Sequence, residues 1–340
     1  MLILSGMAAM TVMLSGCVKD NEPETITDLS VTPETVELTV GETAQLNAVF
    51  EPSDLEVLIE WSSEDSTIAS VSADGLVEAR SAGETIVTAS VGEISAGAVV
   101  KVSLPDPELG DYFYSDGTWS SEADPEKTVI GVVFWLGDPA QSDAALKADF
   151  PECTHGLVVA AGGDVPSYWQ SQSTSSPGTV GEWITDNAPE LLSVTSGTDI
   201  SDPLNLIRGY NNTKALELYN AAPENSEWPV EVMDVVSAYR EEVPAPANTS
   251  GWYLPSMKEL SLLCSGELGG NVYDISGETS VRDMVNERLE AVNGIQIGEA
   301  FYWSSTENSI EHAFDIDFSD GSVWMDLKFM NDPVRCVLAF

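Results

Sequence analysis

The tightest constraint on the fold lies near the C-terminal end of the sequence. From His312 to Phe318, the apolar residues Phe314, Ile316 and Phe318 alternate with Ala313, Asp315 and Asp317. A period of two belongs to a half-buried β-strand, because successive side chains of a strand point to opposite faces. After Ser319-Asp320-Gly321-Ser322 the alternation resumes, with Val323, Met325, Leu327 and Phe329 on one side and Trp324, Asp326 and Lys328 on the other. Asp-Gly between two such runs is a strong hairpin signal. A two-residue turn at Asp320-Gly321 pairs Phe318 with Val323, Ile316 with Met325 and Phe314 with Leu327, apolar on both strands. The opposite face then pairs Asp317 with Trp324, Asp315 with Asp326 and Ala313 with Lys328. Two directly opposed aspartates are unfavourable unless a cation or water separates them. This solvent face makes Trp324, Asp317, Asp315, Asp326 and Lys328 the candidate ligand-binding residues. Asp315, Asp317 and Asp326 are the candidate metal ligands, with calcium as the possible cation and no cofactor required. The plainer alternative is a solvated strand in which Lys328 or Arg335 neutralises the acids. The apolar end, Val334 to Phe340, reads as a last strand buried in the sheet.

Composition narrows the partners. Thirteen basic residues face 56 acidic ones, a formal net charge of -43. Nucleic acid requires a basic surface and is excluded as a partner. Direct electrostatic attraction to anionic lipid is excluded by the same sign. The acidity fits solubility and mutual repulsion at a crowded surface.

Met1 to Leu14 is almost wholly apolar, too short for a spanning helix of about 20 residues and of the right length for a signal-peptide core. The Leu14-Ser15-Gly16-Cys17 that ends it resembles the lipobox of bacterial lipoproteins. That resemblance implies removal of residues 1–16, lipidation of Cys17 and a membrane anchor followed by a tether over 17–25. Lys19-Asp20-Asn21-Glu22 resembles the acidic signal that sends some lipoproteins to the outer face of the outer membrane, so a surface-exposed outer membrane lipoprotein is expected. Three further cysteines remain, Cys153, Cys264 and Cys336. An odd number permits at most one internal bridge in an exported protein. Cys264 after a helix and Cys336 in the last strand are the candidate disulfide; three small buried hydrophobes are the alternative.

Residues 26–104 read as all β. Short alternating runs (Val36 to Val40, Ala44 to Val49, Ile86 to Val91) are separated by turns at Gly41-Glu42, Asp74-Gly75 and Gly83-Glu84, the pattern of a sandwich. The order of Leu38, Gly41-Glu42-Thr43, Leu46, Pro52, Trp61-Ser62-Ser63, Ala69-Ser70-Val71, Asp74-Gly75-Leu76-Val77 and Ala82-Gly83-Glu84-Thr85 resembles the bacterial Ig-like domain, group 2. That family implies a spacer or stalk, with Trp61 a core residue between the sheets. Residues 105–111, Pro105 to Asp111, are a linker by their prolines and charges.

The remainder, 112–340, mixes strands and helices. Lys127 to Leu136 and His155 to Ala160 read as buried strands, with His155 a hydrogen-bonded core histidine. Helices are expected at 212–221, 228–241, 256–264 and 280–292; Ser256 with Glu259 makes a capping box for the third. The segment 164–203 reads as long loops carrying Trp169 and Trp183. Gly251-Trp252-Tyr253-Leu254-Pro255-Ser256, Glu259-Leu260, Tyr302 to Glu307, Asp317-Phe318, Asp320-Gly321 and Val334 to Val337 resemble, in order and spacing, the C-type-lectin-like domain of bacterial surface proteins. The resemblance implies an α+β domain after the all-β Ig-like sandwich. It implies a non-catalytic, adhesin-like module that binds glycan or protein at the cell surface. Fold does not fix function, and two alternatives stand beside it. One is a structural or fimbria-associated subunit. The other is an enzyme of the formylglycine-generating type, whose reactive cysteine site has no matching motif here. The Glu-Pro-Asn loop of calcium-dependent animal lectins is absent, and Met330-Asn331-Asp332 matches their Trp-Asn-Asp strand only in its last two residues.

Overall fold

A computed structural model describes residues 25–195, 202–267, 269–274 and 277–340. The expected leader, Cys17 and the acidic segment after it lie outside the described residues. The chain divides into two compact units, one ending at Pro105 and the other running from Asp106 to Phe340.

The first unit is built of β1 (Asp28–Thr32), β2 (Thr35–Thr39), β3 (Thr43–Gln45), β4 (Asn47–Glu51), β5 (Glu60–Ser63), β6 (Ala69–Val71), β7 (Leu76–Ala79), β8 (Gly83–Val91) and β9 (Ile94–Ser103). β2, β9, β8 and β5 form one sheet, β3, β7 and β6 another, and β1 pairs with β4. Alternation decides the facing. Thr85, Val87 and Ala89 of β8 and Ala98, Val100 and Val102 of β9 point inward, where they meet Val31, Leu46 and Val77. Trp61, on the edge strand β5, is half-buried against this core. Its ring fixes the Asp74-Gly75 turn. Gly75 has φ +82, and an added Cβ would stand 2.6 Å from the Leu46 carbonyl oxygen and 2.9 Å from the Trp61 ring. Only glycine suits that backbone and that space.

The second unit centres on an antiparallel sheet in the order β11 (Trp119–Ser120), β10 (Tyr112–Tyr114), β12 (Val129–Leu136), β13 (Gly156–Ala160), β19 (Val337–Ala339). Both faces are covered. Val132 and Phe134 enter one core with Leu260 and Leu263 of α5 (Met257–Ser265) and Val285 and Leu289 of α6 (Ser280–Ala291). Ile130 and Val133 enter the other with Leu216 of α3 (Gly209–Ala221) and Val236 of α4 (Val232–Glu242). The last strand is buried as its sequence requires, with Phe340 only 3% exposed. The four helices fall where their apolar stripes place them. The capping box on α5 is present, Glu259 accepting from the Ser256 backbone N–H at 2.6 Å.

Several expectations need correcting. The 164–203 segment contains β14 (Val165–Tyr168) and α2 (Val180–Asn187). Thr179 and Glu182 cap α2 reciprocally at 3.0 and 2.9 Å, a Thr-x-x-Glu signal the loop-like composition hid. Trp169 is fully buried there. His155 is exposed just ahead of β13 and stacks on Phe340 at 5.8 Å. Cys264 and Cys336 form no bridge. Both thiols are free and buried, and they sit in the two different cores, Cys264 in the first and Cys336 in the second. Burial pushes each thiol up to about 12.

The C-terminal hairpin forms with a shifted register. β16 (His312–Asp317) lies between β15 (Phe301–Glu307) and β17 (Ser322–Leu327). Ile316 pairs with Val323 and Phe314 with Met325, so Asp315 opposes Trp324 and Asp326 opposes Ala313. The turn is longer than two residues because Phe318 leaves the ladder to fill the core, its N–H donating to the Ala300 carbonyl at 3.0 Å. Gly321 closes the turn at φ +74. A slip of two residues preserves the facing of every side chain, so the apolar face survives while the opposed partners change.

Candidate functional site

The face of β16 that carries Ala313, Asp315 and Asp317 does not lie open to water. β16 is the central strand of three, and β18 (Asn331–Val334), paired with β14, packs against β15 on that side. Trp303, which opposes Asp315 on β15, is fully buried and donates its indole N–H to the Ser167 carbonyl of β14 at 2.9 Å. Asp315 is therefore buried completely. Trp324, on the edge strand, is 52% exposed and meets the edge of Phe301 at 6.1 Å. Its indole donates to Ser322 at 2.8 Å.

Three carboxylates converge at this place. Asp315, Asp326 and Asp332 each offer an oxygen, and those oxygens lie within 4.8 Å of one another. Asp326 and Asp332 are half-buried, so the cluster has a buried floor and a mouth open to solvent. Neither oxygen of Asp315 has a hydrogen-bond partner, nor does Oδ2 of Asp332. Burial, then Asp326, then Asp332 push the Asp315 carboxyl up to about 8, while burial and Asp326 push Asp332 up to about 6. Like charges this close cannot all ionise in a dry setting without a counter-ion.

The expected residues thus separate. Asp315 and Asp326 do come together, but through Asp332 and not Asp317. Asp317 turns away and accepts the Ser319 N–H at 2.8 Å, bracing the hairpin turn. Lys328, expected on the solvent face, is buried completely. Its ammonium donates to Glu307 at 2.5 Å and Gln170 at 3.1 Å and lies 4.5 Å from the centre of the Trp169 ring. Burial pulls its pKa down, and Glu307 opposes that. Glu307 also accepts from the Val180 and Gly181 N–H groups at 3.0 and 2.9 Å and from Thr195 at 2.6 Å. The carboxylate thus completes the N-terminus of α2, where orphan N–H groups and the helix dipole favour an anion. Lys328 and Glu307 are closed off from solvent and hold structure together. Arg335 is likewise buried, donating to the Ala160 carbonyl at 2.8 Å and to Asp164. It is too far engaged to neutralise the aspartates.

Sequence reasoning missed Asp332 as a partner of Asp315. No spacing along the chain reveals that contact, since it arises from one strand pair lying over another. Large apolar side chains are exposed on the neighbouring segments: Tyr168, Met325, Phe329 and Met330 are 44%, 39%, 45% and 43% exposed. Elsewhere, a cleft of about 650 Å³ lies beside α2, lined by Thr179, Glu182, Trp183 and Tyr219 among others.

The architecture defined here is a β-rich, multi-sheet chain with an Ig-like unit ahead of an α+β unit. Comparison with known proteins bears this out for the first unit: residues 25–102 match the bacterial Ig-like domain (group 2). Across a longer stretch, 238 residues are 28% identical to the putative fimbrium tip subunit Fim1C of Bacteroides ovatus, taking in 62% of this chain and 41% of that one. This chain therefore spans less than half the length of that relative. A crystal structure of a fimbrial protein from Bacteroides ovatus superposes with a TM-score of 0.54 at 23% identity, covering 92% of this chain and 70% of that chain. At that identity the likeness is one of fold.

Proposed function

We propose that the chain is a non-catalytic surface subunit of a fimbria-type assembly, with the Ig-like unit as spacer and the α+β unit as the part that meets other molecules. The similarity to the putative fimbrium tip subunit carries this reading. It takes in 62% of the chain, more than the unit ending at Pro105 can supply, so it extends into the second unit. This favours a structural or tip-associated role over a free-standing lectin. The finer readings rest on motifs: a C-type-lectin-like identity for 112–340 on the ordered match around Trp252, Trp303 and Cys336, and lipidation at Cys17 on the lipobox-like run. The exposed Trp324, with exposed Tyr168, Phe329 and Met330 elsewhere in the unit, supports binding of glycan or protein by the second unit.

Antibody against the second unit, applied to intact cells and to sheared fimbriae, tests the assignment. Label on fimbriae, absent when the gene is deleted, is the expected result. Label confined to the cell body of fimbriated cells overturns it. In parallel, Cys17→Ser is expected to leave an unprocessed precursor that no longer enters the detergent phase. A processed mutant that still partitions into detergent would refute the anchor without touching the fimbrial reading.

A further inference from the structure

We propose that Asp315, Asp326 and Asp332 form a divalent-cation site, with calcium as the ion. The inference is independent of the fimbrial role. It begins with Asp315, whose side chain is completely buried and whose two oxygens have no protein partner. A buried carboxylate left unpaired is costly, and buried polar groups in folded proteins are nearly always satisfied. The near neighbours are Ala313, Trp303 and Trp324 in the ladder, none of which offers a side-chain donor to it, and two more carboxylates. The basic residues nearest in sequence, Lys328 and Arg335, are committed elsewhere. A cation supplies what the protein does not.

The donor set selects the ion. Three carboxylates, with no imidazole or thiolate, favour hard cations over zinc or copper. An oxygen separation of up to 4.8 Å is about twice a calcium–oxygen distance of ~2.4 Å, so ligands on opposite sides of one calcium fit this span. Magnesium demands a tighter octahedron at ~2.1 Å and holds its waters more firmly. Asp315 forms the floor, while half-buried Asp326 and Asp332 leave the outer coordination positions to water or to a ligand. Because β17 and β18 each contribute one aspartate, the ion would also tie the edge strand to the strand pair that covers the sheet.

The competing way to satisfy the cluster is a proton shared between Asp315 and Asp326, and one experiment separates the two. The full chain is stripped with EDTA, dialysed into 150 mM KCl at pH 7.5, and titrated calorimetrically with calcium chloride beside thermal melts. Wild type is expected to show one saturable site and a melting temperature several degrees higher with calcium. Asp315→Asn is expected to lose both, and the half-buried variants Asp326→Asn and Asp332→Asn to weaken binding at least tenfold while remaining folded. Diffuse binding by so acidic a chain would be the same in all four proteins. Equal affinity in wild type and variants, or no effect of calcium on the wild-type melt, overturns the proposal and leaves the shared proton. Should Asp315→Asn not fold, the Asp332→Asn titration decides alone.

Discussion

Among the described residues, the unit ending at Pro105 buries one polar side chain, Thr85, whereas the second unit buries many, among them Asp143, Lys258, Glu259, Glu307, Asp315, Lys328 and Arg335. The first keeps its charges in water. Its ion pairs, Arg80–Glu78 at 3.4 Å and Lys101–Glu84 at 3.9 Å, are more than half exposed, the kind worth little to stability. What holds it is the apolar interior between its small sheets. The second unit uses buried charge to fix loops. Glu307 holds the start of α2 and the loop at Thr195, and Arg335 holds Asp164 and the 295–296 carbonyls. Buried pairs hold irregular segments in place at the cost of desolvation.

The largest test of this contrast is Glu307→Ala. It strands a buried ammonium and uncovers two helix N–H groups, so a loss of about 3–5 kcal/mol is expected. Glu84→Ala in the first unit should stay within about 0.5 kcal/mol. Eight of the nine tryptophans follow Pro105, so tryptophan fluorescence during urea unfolding reads the Glu307 variant, and hydrogen exchange of β8 and β9 reads the Glu84 variant. Similar small losses for both variants would break the contrast.

Glu259 sharpens it through pH. Fully buried, it accepts from Gly209, Ser256 and Tyr253, and burial pushes its carboxyl from 4.5 up to about 7. The folded protein therefore holds a proton that the unfolded chain has already released. This stabilising contribution is complete below about pH 4.5 and is lost as the pH rises through 7, by up to about 3 kcal/mol. Glu259→Gln should be less stable overall but should flatten the fall between pH 5 and 8. A parallel profile for the two proteins would mean the carboxyl is ionised throughout. The first unit has no counterpart to this group among its described residues.

The smaller effect of Gly75→Ala belongs to the first unit. A methyl group 2.6 Å from the Leu46 carbonyl, on a backbone at φ +82, should cost about 1–3 kcal/mol through strain and displacement of Trp61. Hydrogen exchange of β3 and β7 would show it, with β12 and β13 unchanged.

How legible each unit was follows from the same contrast. The sandwich could be read because one face of each strand is apolar and the other wet, so alternation and turns specify it; the Asp74-Gly75 turn was visible in two letters. The helices α3 to α6 and the central strands of the second unit were visible for the same reason. Its site was not. The alternation at 312–329 gave the correct facing and wrongly implied solvent on the polar side, because sequence records which side is polar and not what covers it. The covering strand, β18, lies over a different sheet, and Asp332 reaches Asp315 by that crossing. Lys328 carried no sign of burial, since its partners Gln170 and Glu307 are distant in sequence. The register slipped because Phe318 was worth more in the core than in the ladder.

The smallest effect expected is that of Trp324→Ala, and it asks whether exposed residues of the second unit behave like those of the first. The indole is 52% exposed, touches Phe301 edge-on, and donates only to nearby Ser322. Truncation should change unfolding free energy by no more than about 0.5 kcal/mol. It should also leave calcium titration of the full chain within about twofold, since an indole contributes no carboxylate to the cluster. Binding is a separate readout: an exposed aromatic anchor is worth about 2 kcal/mol or more to an interface, so a glycan array probed with wild type and variant, with and without calcium, should show signal lost without any loss of fold. A destabilisation above about 2 kcal/mol would place the indole in the core and remove it from the ligand surface. An unchanged array signal beside an unchanged melt would move that surface to the cleft by Trp183.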